Sequence, residues 1–356
     1  MNKQDDLAMT ESLTRQAIAA RLEQAFASPR RKFCYYSANG AKTGSARLNA
    51  MPFWDWTPQI SQSSGGSTCI VPMAFGCQPV GIGEGKQWIK PMITDPAQVA
   101  DVAVPDPHEG PTGEILRRLS DMALNSSPQV RLRNPDIQSP LGIAELMWDE
   151  SFYLALIEHP DTIHQLLNKI TDFEVEYVCA IQEAAGSIYN PCGFPLIWAT
   201  GSGTMVADDT MSLISPQMHA EFSLPYLNRI AEAVGPLYYH SCTWRSPYFD
   251  NLRQLKNVRA WNWNPGNSDD PAVLIREFAG TAVLALHLCL DMHKDNDVVA
   301  LGRNFADEAE FFGYCLDAMT DETCMYWWFS NICENGPVME KIYDMLHDRG
   351  YTPQAW

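Results

Sequence analysis

Past Pro135 the chain falls into a regular alternation of short apolar runs and longer amphipathic ones, and this limits its folds more than any other feature. Leu237-Tyr-Tyr-His, Val258-Arg-Ala-Trp-Asn-Trp-Asn, Thr281-Ala-Val-Leu-Ala-Leu-His-Leu and Met325-Tyr-Trp-Trp-Phe-Ser have the length and composition of strands. Between them lie runs with helix-start signals: Pro160-Asp161 opens one to Ala185, and Ser215-Pro216 opens one to Val234. Pro225 falls inside the second run and predicts a break there, because proline lacks an N–H and its ring crowds the preceding turn. Residues 305–320 and 337–349 complete the helical series, the last stopped by Gly350. Strands that alternate with helices predict a parallel sheet, since parallel neighbours need a long crossover. No linker or shift of composition divides the chain. The reading is therefore an α/β fold: a single (β/α)8 TIM-type barrel domain over residues 1–356, with residues 1–32 as an N-terminal helical extension.

Before Pro135 the pattern is less regular. Residues 11–27 space apolar side chains at helical intervals, and residues 113–125 look helical again. Residues 33–106 hold several Trp and Pro and the glycine-rich start Gly65-Gly-Ser-Thr-Cys-Ile-Val-Pro-Met, and read as short strands and loops.

Charge narrows the partners. The 25 Lys and Arg stand against 43 Asp and Glu, a net charge of −18, which repels phosphate backbones and anionic lipid heads. Nucleic acid and membrane are excluded as main partners. The polar N-terminus has no secretory pattern and no run of eighteen apolar residues occurs, so a soluble cytoplasmic protein is expected. In that compartment the 10 cysteines are thiols, small buried hydrophobes or metal ligands.

His240-Ser241-Cys242, at the end of the strand LYYH, is the sharpest local feature. Residues two apart on extended backbone point to the same side, so imidazole and thiol converge at the C-terminal end of a strand, where barrels carry their chemistry. That pair suits zinc. A third ligand has to come from a late element: His287, Cys289, Cys315, Cys324 or Cys333. Cys315 lies in a helix and Cys324 precedes its strand, at the wrong end. Cys333 follows the strand MYWWFS and precedes Asn335-Gly336-Pro337, on the loop face, with His287 and Cys289 as the fallback. Two Cys and one His with an open fourth position make a catalytic zinc site.

Further segments share an order with a known family. Ser139-Pro140-Leu141-Gly-Ile-Ala is followed by Asp208-Asp209-Thr210 and MSLISPQMHAEFSLPYLNRI, then by His-Ser-Cys, then by a cysteine before a Gly-Pro turn. From Ser139 to Arg349 the chain resembles the uroporphyrinogen decarboxylase superfamily, and within it the zinc methyltransferases that serve corrinoid proteins. The resemblance implies His240, Cys242 and Cys333 as zinc ligands. It also implies methyl transfer between a small substrate (an aryl methyl ether, a thiol or a pterin) and the cobalt of a partner corrinoid protein. Asp291-Met-His293 lacks the glycine of a cobalamin-binding motif, so the corrinoid is expected in trans. Decarboxylases of the superfamily carry an arginine-rich segment for the substrate's carboxylates. Here the corresponding stretch is Asn49-Ala-Met-Pro-Phe-Trp-Asp-Trp-Thr-Pro, which disfavours a many-carboxylate porphyrinogen. A decarboxylase of the same fold and a non-catalytic barrel with a structural zinc are the alternatives.

Other residues complete the expected site. Asp208 and Asp209 fall on a strand-to-helix loop, either to orient a substrate or to cap the helix. Glu145 follows the Ser-Pro-Leu segment and offers a carboxylate, or a surface group. Trp198, Trp261 and Trp263 lie at or near strand ends and offer stacking faces, or core. Tyr239, on the opposite strand face from His240, reads as packing.

Overall fold

A computed structural model describes residues 20, 23–24, 26–27, 33–37, 67–83, 87–126, 130–192, 199–288, 293–294, 297–300, 303–329 and 336–349. Contacts gather them into two compact units, one of residues 61–194 and 200–258 and one of residues 1–60, 195–199 and 259–356.

The first unit holds the strands Thr204–Ala207 and Leu237–Ser241, paired in parallel with Ala207 opposite His240. Every residue of both strands is buried, as expected for a parallel sheet covered on both faces. Gln138 forms a parallel bridge to Ala207, so the segment 136–139 ends beside the same edge. Three C-terminal ends, at Ser139, Ala207 and Ser241, are thereby set side by side.

Local chemistry starts and stops the helices. Ser139 accepts from Gly142 N–H (3.1 Å) at the start of Pro140–Met147, with proline in the first turn. Ser215 does the same for Met218 N–H (3.2 Å) ahead of Pro216–Phe222. The break expected near Pro225 falls at Ser223, where Leu224–Val234 begins as a separate helix. Pro160–Ala185 is the longest, with a buried stripe of Ile163, Leu166, Leu167, Ile170 and Phe173, and ends at Gly186 with φ +56°. Lys169 on its outer side donates to the carbonyls of Val99, Ala100 and Val102.

The terminal unit carries the parallel order Phe33–Ser37, Cys324–Phe329, Val283–Leu288, Val258–Trp263. Helices Pro271–Glu277, Glu308–Ala318 and Gly336–Asp348 accompany these strands. The fold is thus of the expected α/β class, parallel strands alternating with helices in the TIM-barrel manner.

Two details depart from the sequence reading. Within the stretch read as strands and loops, Ile70–Ala74 is a helix and Pro96–Asp101 a 3₁₀ helix opened by a capping box of Asp95 and Gln98. Both are too short to show a period; burial of Ile70, Val71 and Val99 holds them. Cys324 opens its strand rather than preceding it. No helix among the described residues is long and apolar enough to cross a membrane.

Candidate metal centre

His240 is the fourth residue of its strand, and Cys242 lies one past its end. The chain keeps its extended course there long enough for the expected convergence: His240 Nε2 and Cys242 Sγ are 3.4 Å apart. Two ligands of one tetrahedral zinc at ordinary bond lengths lie about 3.6 Å apart, so the pair has a chelating separation. Asp209 joins it, with Oδ1 3.8 Å from His240 Nε2, and the three ligand atoms lie within 4.8 Å of one another. An imidazole nitrogen, a thiol sulfur and a carboxylate oxygen are a donor set that zinc accepts.

Asp209 also fixes the backbone, since Cys242 N–H donates to its Oδ1 at 2.6 Å. Burial, with the Asp209 charge and hydrogen bond behind it, pushes the Cys242 thiol up to about 12. The thiol is therefore protonated at neutral pH without a cation beside it, and a metal ion is what favours the thiolate.

These residues open onto a cavity of about 440 Å³ within the first unit. Its polar wall includes Thr68, Asp136, Gln138, Glu145 and Thr243; Trp88, Leu146, Met205 and Leu213 supply apolar surface. Thr68 Oγ1 donates to Asp136 Oδ2 (3.0 Å) and Gln138 Nε2 to Asp136 Oδ1 (3.1 Å). Burial pushes the Asp136 carboxyl above its ordinary value, Asp209 adding to this while Thr68, His240 and Gln138 oppose it. Glu145 is raised by burial too, and Tyr153 O–H donates to its Oε1 at 3.3 Å. A larger cleft of about 830 Å³ between Gly110–Asn125 and Pro160–Ala185 has His108, Asp121 and Glu183 on its wall, but among the described residues their ligand atoms do not converge as those of Asp209, His240 and Cys242 do.

Asp208 faces the other way. It is fully buried, and Ser139 (2.7 Å), Ser223 (2.9 Å) and Tyr239 (3.0 Å) each donate a hydroxyl to its carboxylate. His219 Nε2 lies 3.0 Å from Oδ2. Asn251 Nδ2, which donates to the Pro216 carbonyl, lies 3.1 Å from His219 Nδ1. An amide donor facing Nδ1 leaves the ring proton on Nε2, aimed at Asp208. Burial pushes the Asp208 carboxyl up, but His219, Ser139 and Ser223 outweigh it and leave the carboxyl below its ordinary value. The side chain makes no cap hydrogen bond to the 3₁₀ helix Asp209–Leu213 that it precedes. It ties that loop to the Pro140 and Leu224 helix starts and to the His240 strand.

Of the residues expected from sequence, Asp209, Glu145, His240 and Cys242 therefore share one cavity, with Asp208 buried behind it. Trp261 is buried in its strand, with Nε1–H donating to Thr281 Oγ1 (2.9 Å), and Trp263 is fully buried. Cys333, Trp198 and Cys289 lie outside the described residues, as does the side chain of His287. Asp136, Thr68, Gln138 and Trp88 also line the cavity, and nothing in the sequence singles them out as a group. The one signal was the alternation Asp136-Ile137-Gln138 between prolines, three residues long and too short to register as a strand.

The profile of the family described as "Uroporphyrinogen decarboxylase (URO-D)" matches residues 67–277, more than half of the chain. A uroporphyrinogen decarboxylase of Xylella fastidiosa is 30% identical over 180 residues, covering 46% of this chain and 43% of that protein. One of Colwellia psychrerythraea is 26% identical over 166 residues, covering 43% and 40%. The chain thus spans less than half the length of these curated relatives. Among solved structures, a methyltransferase from Methanosarcina mazei aligns with a TM-score of 0.61 at 14% identity, over 96% of this chain and 100% of that one. At that identity the likeness concerns the fold.

Proposed function

The chain belongs to the uroporphyrinogen decarboxylase (URO-D) family, and from that premise we propose that it is a zinc-dependent methyltransferase acting with a partner corrinoid protein. It moves a methyl group between a small substrate and the cobalt that the partner carries. The observation behind this reading is the convergence of His240, Cys242 and Asp209 on one point of a cavity wall. The fold likeness to a protein named as a methyltransferase agrees with it.

In this reading His240 and Cys242 hold the zinc, and Cys333 is the further ligand that the family resemblance implies. Bound zinc supplies Lewis acidity to the substrate's sulfur or oxygen. Asp209 faces both ligands and holds the Cys242 backbone, so it positions the thiolate whether or not it meets the metal itself. Glu145 and Asp136 line the space beside the metal and orient the substrate. Asp208 acts at one remove, by fixing the Asp209 loop against the His240 strand.

The names of the curated relatives favour a second reading, decarboxylation of a porphyrinogen. Against it, no Lys or Arg lines the cavity among the described residues, whereas three carboxylates do. A substrate with many carboxylates needs the reverse.

The test is zinc content and turnover measured together. Purified protein should hold one zinc per chain, lose methyl transfer to a corrinoid acceptor on chelation, and release no carbon dioxide from uroporphyrinogen. Cys333→Ala should abolish zinc retention; unchanged zinc stoichiometry in that variant removes Cys333 from the ligand set. Full activity in chelated, zinc-free protein sinks the proposal.

A further inference from the structure

The cavity wall carries three carboxylates, Asp136, Glu145 and Asp209, and no ammonium or guanidinium among the described residues. Arg133 feels the Asp136 charge but is not a lining residue. In the proposed ligand set the Cys242 and Cys333 thiolates would balance a divalent metal, which leaves Asp136 and Glu145, with Asp209 behind the metal, as the charge facing a ligand. Asp136 accepts one bond at each oxygen, from Thr68 and Gln138, and Glu145 is the less satisfied of the two. Glu145 takes one long bond, at Oε1 from Tyr153, and among the described residues nothing donates to its Oε2. Trp88, 45% exposed, presents an indole to the same space. Such a face attracts cations through its ring quadrupole. Leu146, Met205 and Leu213 complete the wall with surface suited to methyl groups.

We infer that the methyl-bearing ligand of this cavity has a cationic head, an amine or quaternary ammonium group, held by Glu145, Asp136 and the Trp88 ring. This rests on the methyltransferase reading and sharpens it: of the possible small substrates, it selects those with a positively charged nitrogen. Anionic thiols and polycarboxylates meet like charge on the wall and are disfavoured. A neutral ligand of the same shape gains the apolar contacts and loses the charge recognition.

Calorimetric titration of the zinc-loaded full chain tests this, with zinc per chain measured on the same sample. The probes are choline, its uncharged carbon isostere 3,3-dimethylbutan-1-ol, and the anion 3,3-dimethylbutanoate. Choline should bind at least about tenfold more tightly than the isostere, and the anion should not bind detectably. Glu145→Gln and Asp136→Asn should each weaken choline about tenfold, leaving the isostere and the zinc content unchanged. Equal or tighter binding of the isostere or the anion by the wild-type chain overturns the inference, whatever the variants do. So does an absence of choline binding to protein that carries its zinc, or choline affinity indifferent to both substitutions. Choline discrimination in protein that takes up no zinc would keep the cationic preference and sink the methyltransferase reading instead.

Discussion

One peptide bond separates Asp208 from Asp209, yet the first receives four polar contacts in a fully buried site while the second stands on the cavity wall, 43% exposed. Removing a buried acceptor strands its donors, so Asp208→Ala should cost about 3 kcal/mol or more in urea unfolding, with Asp209→Ala within about 1 kcal/mol of wild type. The carboxyl of Asp208 is lowered in the fold. Its stabilisation is therefore present above the ordinary value of 3.8 and lost as pH falls through the lower folded value. Glu174 behaves in the opposite way. Both its oxygens are buried and take no hydrogen bond from the described residues, and burial pushes its carboxyl well above the ordinary 4.5. The folded state then holds the proton more tightly than the unfolded one, so stability falls as pH rises above 4.5 and levels off past the folded value. Glu174→Met should stabilise the protein at pH 8 by about 1–3 kcal/mol and by less at pH 4, read from denaturant midpoints. A fall in stability at pH 8 would show that Glu174 has a partner. Neither behaviour is legible in sequence, because a carboxylate's environment is made by distant segments.

The site sits where three chain segments end together: 136–139, Thr204–Ala207 and Leu237–Ser241. Thr204–Ala207 is led in by Gly203 at φ +104°, where an added Cβ would lie 2.1 Å from the Pro236 carbonyl oxygen. Gly203→Ala has to shift that backbone, and should cost about 2–4 kcal/mol in stability. Zinc stoichiometry at low temperature should be retained, because His240 and Cys242 lie at the far end of their strand from Gly203 and Pro236. Ser139 does two jobs, capping Pro140–Met147 and donating to Asp208. Ser139→Ala should therefore cost about 2 kcal/mol, the upper end for an N-cap. A loss below about 0.5 kcal/mol would mean that the Asp208 bond contributes nothing. At this scale the sequence was most readable. Ser215-Pro216, Pro160-Asp161 and the apolar strand runs are local signals, and the elements they open lie where those signals put them, whereas the short helices Phe152–Glu158 and Pro271–Glu277 had no such reading. The short helices Ile70–Ala74 and Pro96–Asp101 were not readable, since burial rather than periodicity sustains them.

For the whole molecule, net charge and metal binding are the measurable handles. Zinc that binds only the folded chain stabilises it by mass action, by about 4 kcal/mol at a thousandfold excess over Kd. Saturating zinc should thus raise the melting temperature of wild type and leave Cys242→Ser nearly unmoved, a comparison made in one calorimetric series. The charge of −18 suits a docking partner with a basic patch. If the proposed corrinoid partner carries such a patch, the second-order rate of methyl transfer to it should fall several-fold as salt rises from low to physiological strength and beyond, while choline affinity, set inside the cavity, changes less.

By itself the sequence determined the α/β class, most of the element order past Pro135 and the His240–Cys242 pair, because all three are written in spacings of a few residues. A period of two on extended backbone suffices to bring an imidazole and a thiol together. Tertiary structure alone decided that Asp209 completes the cluster, that Asp208 turns inward, and that Asp136, Gln138, Glu145 and Trp88 share a wall with them. Those residues are brought together by parallel strand pairing, which joins segments separated by long crossovers. Their charge states follow from burial that no single segment encodes.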